Sequence, residues 1–179
     1  MFFIFVIYLV KIISLAGRHF DVEKIYEDDV ALIEVDNSLE FIHVFWKQHP
    51  DSETYRRTFA QATAVFLNRN YRLWLSDSRK VHYLEFADQN WMLRDMVPLL
   101  GNSSLTKFAR INSEEGLSLL DIDRVLNGLE QSPDININVA VAVFVDRQQA
   151  LNWLFPDGNQ EEEGYLQKWE RSIASSVEQ

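Results

Sequence analysis

The chain has 179 residues, 47% hydrophobic and 13% aromatic with twelve Phe and five Trp, a profile that suits one folded domain and excludes a disordered chain. Its formal net charge is -10, and basic residues come no denser than pairs such as Arg56-Arg57 and Arg79-Lys80, so the concentrated basic face needed for a nucleic-acid backbone or an anionic membrane is missing. Without cysteine there are no disulfides, thiolate chemistry or cysteine zinc sites, but the compartment stays open.

Residues 1–18 read as an apolar extension. MFFIFVIYLV is uninterrupted until Lys11, and the run falls short of the roughly 20 residues a spanning helix needs. Ser14-Leu15-Ala16 has the form of a small-x-small cleavage site, yet no positive charge precedes the apolar run, as it does in a signal peptide. An export signal, a membrane-peripheral anchor and an upstream extension with no structural role all stay open. The expectation is a cytoplasmic protein, exported or membrane-associated if this segment is genuine, with membrane contact only if residues 1–17 are retained.

The folded domain is expected over 19–156. Residues 21–27 form a short first strand, and 30–36 (VALIEVD) and 39–46 (LEFIHVFW) are β-rich runs joined as a hairpin at Asn37-Ser38. His49-Pro50 closes the second run, and Asp51 or Ser52 caps a helix to about Asn68 whose core stripe is Tyr55, Phe59, Ala62 and Phe66. Residues 71–75 (YRLWL) make the next strand. A helix follows from about Asp88, with Trp91, Met92 and Met96 inward, ending at Pro98-Leu99-Leu100-Gly101. Residues 106–111 (TKFARI) are a further strand, and Ser113 caps a helix whose first turn carries Glu114 and Glu115. Ser132-Pro133-Asp134 breaks that helix. The run 138–145 (NVAVAVFV) lacks alternation, which predicts a strand buried on both faces. Asp146, with Gln149 three residues on, caps the last helix, whose core side is Ala150, Trp153 and Leu154. Residues 157–179 read as an acidic polar tail with one helical turn around Tyr165 to Trp169. A hairpin followed by strand-helix alternation predicts an α/β domain, a mixed sheet with helices packed on it.

Several features spread over 24–155 resemble the bacterial STAS-like (SpoIIAA-like, STAS/SEC14-type) domains: Trp46 at the hairpin's end, Glu53-x-Tyr55-Arg56 opening a helix, Asp77 ending the next strand, Asp88-Gln89-x-Trp91 opening a helix that closes near Pro98, and Phe144-x-Asp146 followed by Ala150-x-x-Trp153-Leu154. The resemblance implies a single STAS-like domain whose better-known relatives are regulatory interaction modules rather than enzymes. Signalling relatives are phosphorylated on a serine or threonine at the start of the helix after the central strand. Here that stretch reads Phe86-Ala87-Asp88-Gln89-Asn90-Trp91, with no hydroxyl, so the phosphoswitch is not carried over.

In mixed α/β sheets, ligands gather beyond the carboxyl ends of the strands. Asp77 lies at such an end, where it either orients a ligand or the loop or, like Ser76 and Ser78, simply bonds to the backbone of a turn; the two serines are read as turn residues. No Gly-x-Ser-x-Gly elbow accompanies them, and a serine nucleophile also needs a positioned base. His43 is a partly buried sheet histidine, His49 stands at a strand end near where Asp77 falls, and no histidine spacing matches a metal site. Trp46 and Trp91, at element ends, line either a pocket or an interface or else pack in the core, whereas Trp74 is core. Arg56 and Arg57 sit in the first turn of a helix, where the dipole disfavours them; this suggests a carboxylate partner, although a solvated role also fits. Six scattered glycines make no phosphate loop.

The candidate ligand or partner edge is therefore Trp46, His49, Arg56, Asp77, Ser78 and Trp91, with no catalytic residue, cofactor or metal assigned. The leading expectation is a non-enzymatic regulatory or protein-interaction domain with a protein partner and no nucleic acid. The alternative is a carrier of a small apolar, lipid-like ligand. A third reading, an enzyme centred on Asp77 and His49, requires those side chains to converge.

Overall fold

The computed structural model describes residues 21–114 and 139–156. Val22–Glu27 (β1), Ala31–Asp36 (β2) and Phe41–Trp46 (β3) form an antiparallel meander. Leu73–Asp77 (β4), Lys107–Ile111 (β5) and Ala140–Phe144 (β6) then add in parallel, giving a six-stranded sheet in the order β1-β2-β3-β4-β5-β6. The structure thus shows the expected α/β class, one domain with a mixed sheet and helices packed on it. The expectations for 1–18, for the helix beyond Ser113 and its break at Ser132-Pro133-Asp134, and for the tail 157–179 lie outside the described residues.

Ser52–Arg69 (α1) begins where Asp51, in extended backbone, accepts a hydrogen bond from the Thr54 amide at 2.7 Å. It ends at Asn70, whose φ of 55° is a left-handed conformation that asparagine tolerates. Tyr55, Phe59, Ala62 and Phe66 are all buried, as their spacing predicts, and pack on Ile33, Val44, Trp46 and Trp74 of the sheet.

The segment after β4 is helical from Phe86–Trp91 (α2), two residues earlier than the sequence predicts, to Val97–Gly101 (α3). Between them Met92–Met96 is one π-turn, closed by the Val97 amide bonding the Met92 carbonyl five residues back. Pro98 supplies no amide and its ring crowds the carbonyl four residues before it; widening the preceding turn relieves that conflict without breaking the helix.

Each strand lies beside its predecessor, and parallel crossovers are right-handed, so the connections through α1 and through α2–α3 fall on one face of the sheet. Arg147–Leu154 (α4) packs on the opposite face, where Ala150, Leu151 and Leu154 meet Phe41, Leu75, Ala109 and Ile111. Asp146 caps it by accepting from the Gln149 amide at 2.9 Å. At its other end Lys107 Nζ donates to the Trp153 carbonyl at 2.6 Å, a cation on the negative pole of the helix.

Three expectations for the strands also change. The hairpin turn spans 37–40 rather than Asn37-Ser38 alone, because the Asp36 carboxylate accepts from the Ser38 and Leu39 amides and Phe41 is the first residue to pair back, with Asp36. The fourth strand runs 73–77 rather than 71–75, since Ser76 and Asp77 still pair with β3 and β5. Finally, β6 lies at the edge of the sheet formed by the described residues, exposed to half-buried throughout, while β2 and β3 are buried on both faces.

Phe66 has no exposed surface and sits among Tyr71 and Trp74. Phe66→Ala is expected to lower unfolding free energy by about 3–5 kcal/mol, and Asp51→Ala by about 1 kcal/mol. Urea denaturation followed by tryptophan fluorescence checks both.

Candidate functional site

The parallel strands end level with one another: Phe45 pairs with Asp77, Asp77 with Ile111, and Ile111 with Phe144. Alternation then divides the candidate residues between the two faces of this edge.

Asp77 faces the α4 side and has 0% exposed surface. Arg79, two residues on, donates to it from Nε at 2.8 Å and from Nη2 at 2.6 Å; Arg147, the first residue of α4, donates from Nη2 at 2.9 Å. Burial alone would raise the Asp77 carboxyl, but the hydrogen bonds and charges of the two arginines outweigh it and hold the pKa below the usual aspartate range. The carboxylate is therefore charged, clamped and occupied. Deeper on the same face, His43 Nδ1 lies 3.3 Å from Glu34 Oε2 across the β2–β3 pair, both side chains buried. Burial pushes the His43 pKa down against the opposing pull of Glu34 and Asp77, so its imidazole is neutral near pH 7. The histidine expected to be partly buried is wholly so, because β3 is central rather than peripheral.

Ser76 belongs to the strand and not to the turn, paired with Val44 and Arg110. Its hydroxyl lies 2.9 Å from that of Ser78, and both are buried. Ser78 does begin the turn: its amide bonds the Ile111 carbonyl and its carbonyl accepts from the Val81 amide.

The opposite face holds Trp46, Arg56 and Trp91. Trp46 is buried and stacks on Tyr55 at 5.3 Å, and Tyr55 meets the half-buried Trp91 edge-on at 6.5 Å. Arg56 finds the carboxylate its position calls for in Asp88 of α2: Nε donates at 2.6 Å, the Ser52 hydroxyl donates to the same oxygen at 2.6 Å, and the guanidinium lies 5.7 Å from the Trp91 ring centre. Burial pushes the Tyr55 phenol up to about 12, so it stays protonated. Trp74 has no exposed surface, as expected of a core residue.

His49 joins neither group. Its Nδ1 accepts from the His82 amide at 3.3 Å, and its ring lies 5.4 Å from that of His82 and 4.5 Å from that of Tyr83. No hydrogen bond, ion pair or ring contact joins His49 to Asp77 among the described residues. Three separate clusters thus take the place of one convergent site.

Sequence reasoning missed Arg79 and Arg147 as the Asp77 clamp, and Tyr83 and Phe86, which stand 53% and 72% exposed on the segment after β4. Arg79 was legible as a near neighbour of Asp77; Arg147 was not, being 70 residues distant. Among the described residues no group of three or more His, Asp or Glu side chains is placed to hold a metal ion, and no helix is long and apolar enough to cross a membrane. Comparison with protein-family models, curated proteins and solved structures finds no match.

Asp77→Ala is expected to destabilise the domain by about 3 kcal/mol, because it removes the buried carboxylate that both Arg79 and Arg147 bond. Arg79→Ala should cost about 1 kcal/mol, since that guanidinium is 40% exposed and screened. The depressed pKa of His43 makes its share of stability complete above its ordinary value of 6.5 and progressively lost as pH falls below it. The depressed pKa of Asp77 adds a second loss below its ordinary 3.8. Urea midpoints measured against pH should show both steps, with the first reduced in His43→Gln.

Proposed function

We propose that this chain is a STAS-like regulatory or protein-interaction domain, non-enzymatic and cytoplasmic, that works without a phosphorylatable serine. The observation that carries the reading is the pair of exposed aromatics, Tyr83 and Phe86, on the segment following the central strand β4. In the signalling domains that the sequence resembles, regulation acts at this place. Here α2 opens with Phe86 and Ala87 in place of a hydroxyl, so apolar docking stands in for a charge switch. Leu99, 48% exposed on α3, adds a third apolar side chain to the same helical segment. Exposed large aromatics of this kind supply the anchor residues of protein interfaces. The clamped state of Asp77 also fits a structural role at the strand edge better than ligand chemistry.

A second reading, a carrier of a small apolar ligand, draws on the aromatic interior beneath α1 and on two buried polar atoms there, Thr58 Oγ1 and Trp74 Nε1, that make no hydrogen bond in the described structure. Against it, Phe59, Phe66 and Phe108 all pack on Trp74 at 5.2–5.7 Å between ring centres, as in a filled core.

Affinity capture from the native host should recover a partner that the double variant Tyr83→Ser/Phe86→Ser fails to hold, with the melting temperature of the variant unchanged. Recovery by both proteins alike would remove this surface from the interface, and recovery by neither would count against an interaction domain. Native mass spectrometry of the gently purified chain would instead show added mass if the carrier reading holds.

A further inference from the structure

The loop between β4 and α2 is fastened at intervals. Val81 and Leu84 are buried, the Val81 amide bonds the Ser78 carbonyl at 2.9 Å, and Gln89 Nε2 bonds the Leu84 carbonyl at 2.8 Å. His82 and Tyr83, between those anchors, point into solvent. The contact that holds them is to His49, just beyond β3: the His82 amide donates to His49 Nδ1 at 3.3 Å, and the Tyr83 ring packs 4.5 Å from the imidazole. An Nδ1 that accepts a hydrogen bond carries no proton, so the neutral ring bears its proton on Nε2.

We infer that the His49–His82 contact is a proton-operated latch: neutral His49 holds residues 82–83 against the end of β3, and protonation of His49 releases them. The proton arrives from solvent at Nδ1 and turns the acceptor into a donor facing another donor, so the hydrogen bond is replaced by a repulsive contact. The new positive charge also lies beside the His82 imidazole, with the ring centres 5.4 Å apart. The loop presents His82 and Tyr83 to His49. Asp51, the nearest carboxylate along the chain, is turned to the Thr54 amide at the start of α1, where it caps the helix. Partial burial and the proximity of His82 both lower the His49 pKa, which keeps the latch closed near neutral pH and opens it on the acid side. Release is local, because Val81 and Leu84 stay anchored on either side.

One consequence rests on the interaction reading above: Tyr83 moves with the latch, so acid rearranges the exposed aromatic surface. The latch itself does not depend on that reading, and its test involves no partner. Amide hydrogen exchange of His82 in the full chain, corrected at each pH for intrinsic chemical rate, is expected to rise between about pH 8 and about pH 5. The rise should approach about tenfold per pH unit as pH falls from the ordinary histidine value of 6.5 towards the lowered His49 pKa and level off below it, while the Val81 amide stays protected. His49→Asn places a non-titrating carboxamide oxygen near Nδ1 and should give a flat profile. His82→Asn keeps the backbone donor, removes the second imidazole and should move the midpoint upward. A flat wild-type profile, a rise shared by His49→Asn, or loss of Val81 protection together with that of His82 would each overturn the latch. An unmoved His82→Asn midpoint would overturn the part assigned to the second ring.

Discussion

A carboxylate with no exposed surface is tolerable only if its charge is met where it lies, and Asp77 is met twice. Arg79 reaches it from the loop that leaves β4, and Arg147 from the first turn of the helix on the α4 face. Three parts of the chain therefore share one electrostatic centre: the end of β4, the loop that begins at Ser78, and the helix α4. The loop's departure from β4 and the seat of α4 are both referred to this one side chain, and its charged state follows from its two partners rather than from solvent.

The sheet separates what proximity in sequence suggests belongs together. Phe45, Trp46 and His49 lie within five residues, yet Phe45 and Trp46 point to opposite faces by the alternation of the strand and His49 turns to the loop. Trp46, Arg56 and Trp91 are assembled by α1 and α2, with Asp88 as the shared carboxylate, whereas Asp77 is served from the α4 side. The carboxyl edge of the strands is thus built as three supports, and the exposed aromatic surface lies on the segment they hold in place.

Much of the architecture was legible in the chain. The stripe Tyr55, Phe59, Ala62, Phe66 and the caps Asp51 and Asp146 marked α1 and the start of α4, because helical periodicity and side-chain capping are local properties. Burial was harder to read. Glu34, Asp36 and His43 make β2 and β3 look half-exposed, but each polar group finds a partner, Asp36 in the turn that follows and Glu34 with His43, so both strands are wholly buried. The uninterrupted apolar run of β6 looked central and lies at the edge. Pairings between distant residues, such as Asp77 with Arg147 or Arg56 with Asp88, depend on strand order and helix placement, which no local pattern encodes. The aromatics Tyr83 and Phe86 were missed for a related reason: apolar residues usually mark a core, and only the fold reveals that these two face outward.

The strictly sequential strand order also bears on the birth of the chain. Every described strand needs only its predecessor as a template, so a nascent polypeptide can extend the sheet one strand at a time as it leaves the ribosome, starting from the meander β1–β3. Arg147 is the exception, since it emerges 70 residues after the carboxylate it meets. Until α4 is made, Arg79 alone of the two guanidiniums can meet Asp77, and the apolar face formed by Phe41, Leu75, Ala109 and Ile111 is without the helix that packs on it. Seating α4 thus does two things at once: it covers that apolar face and brings the second guanidinium to Asp77.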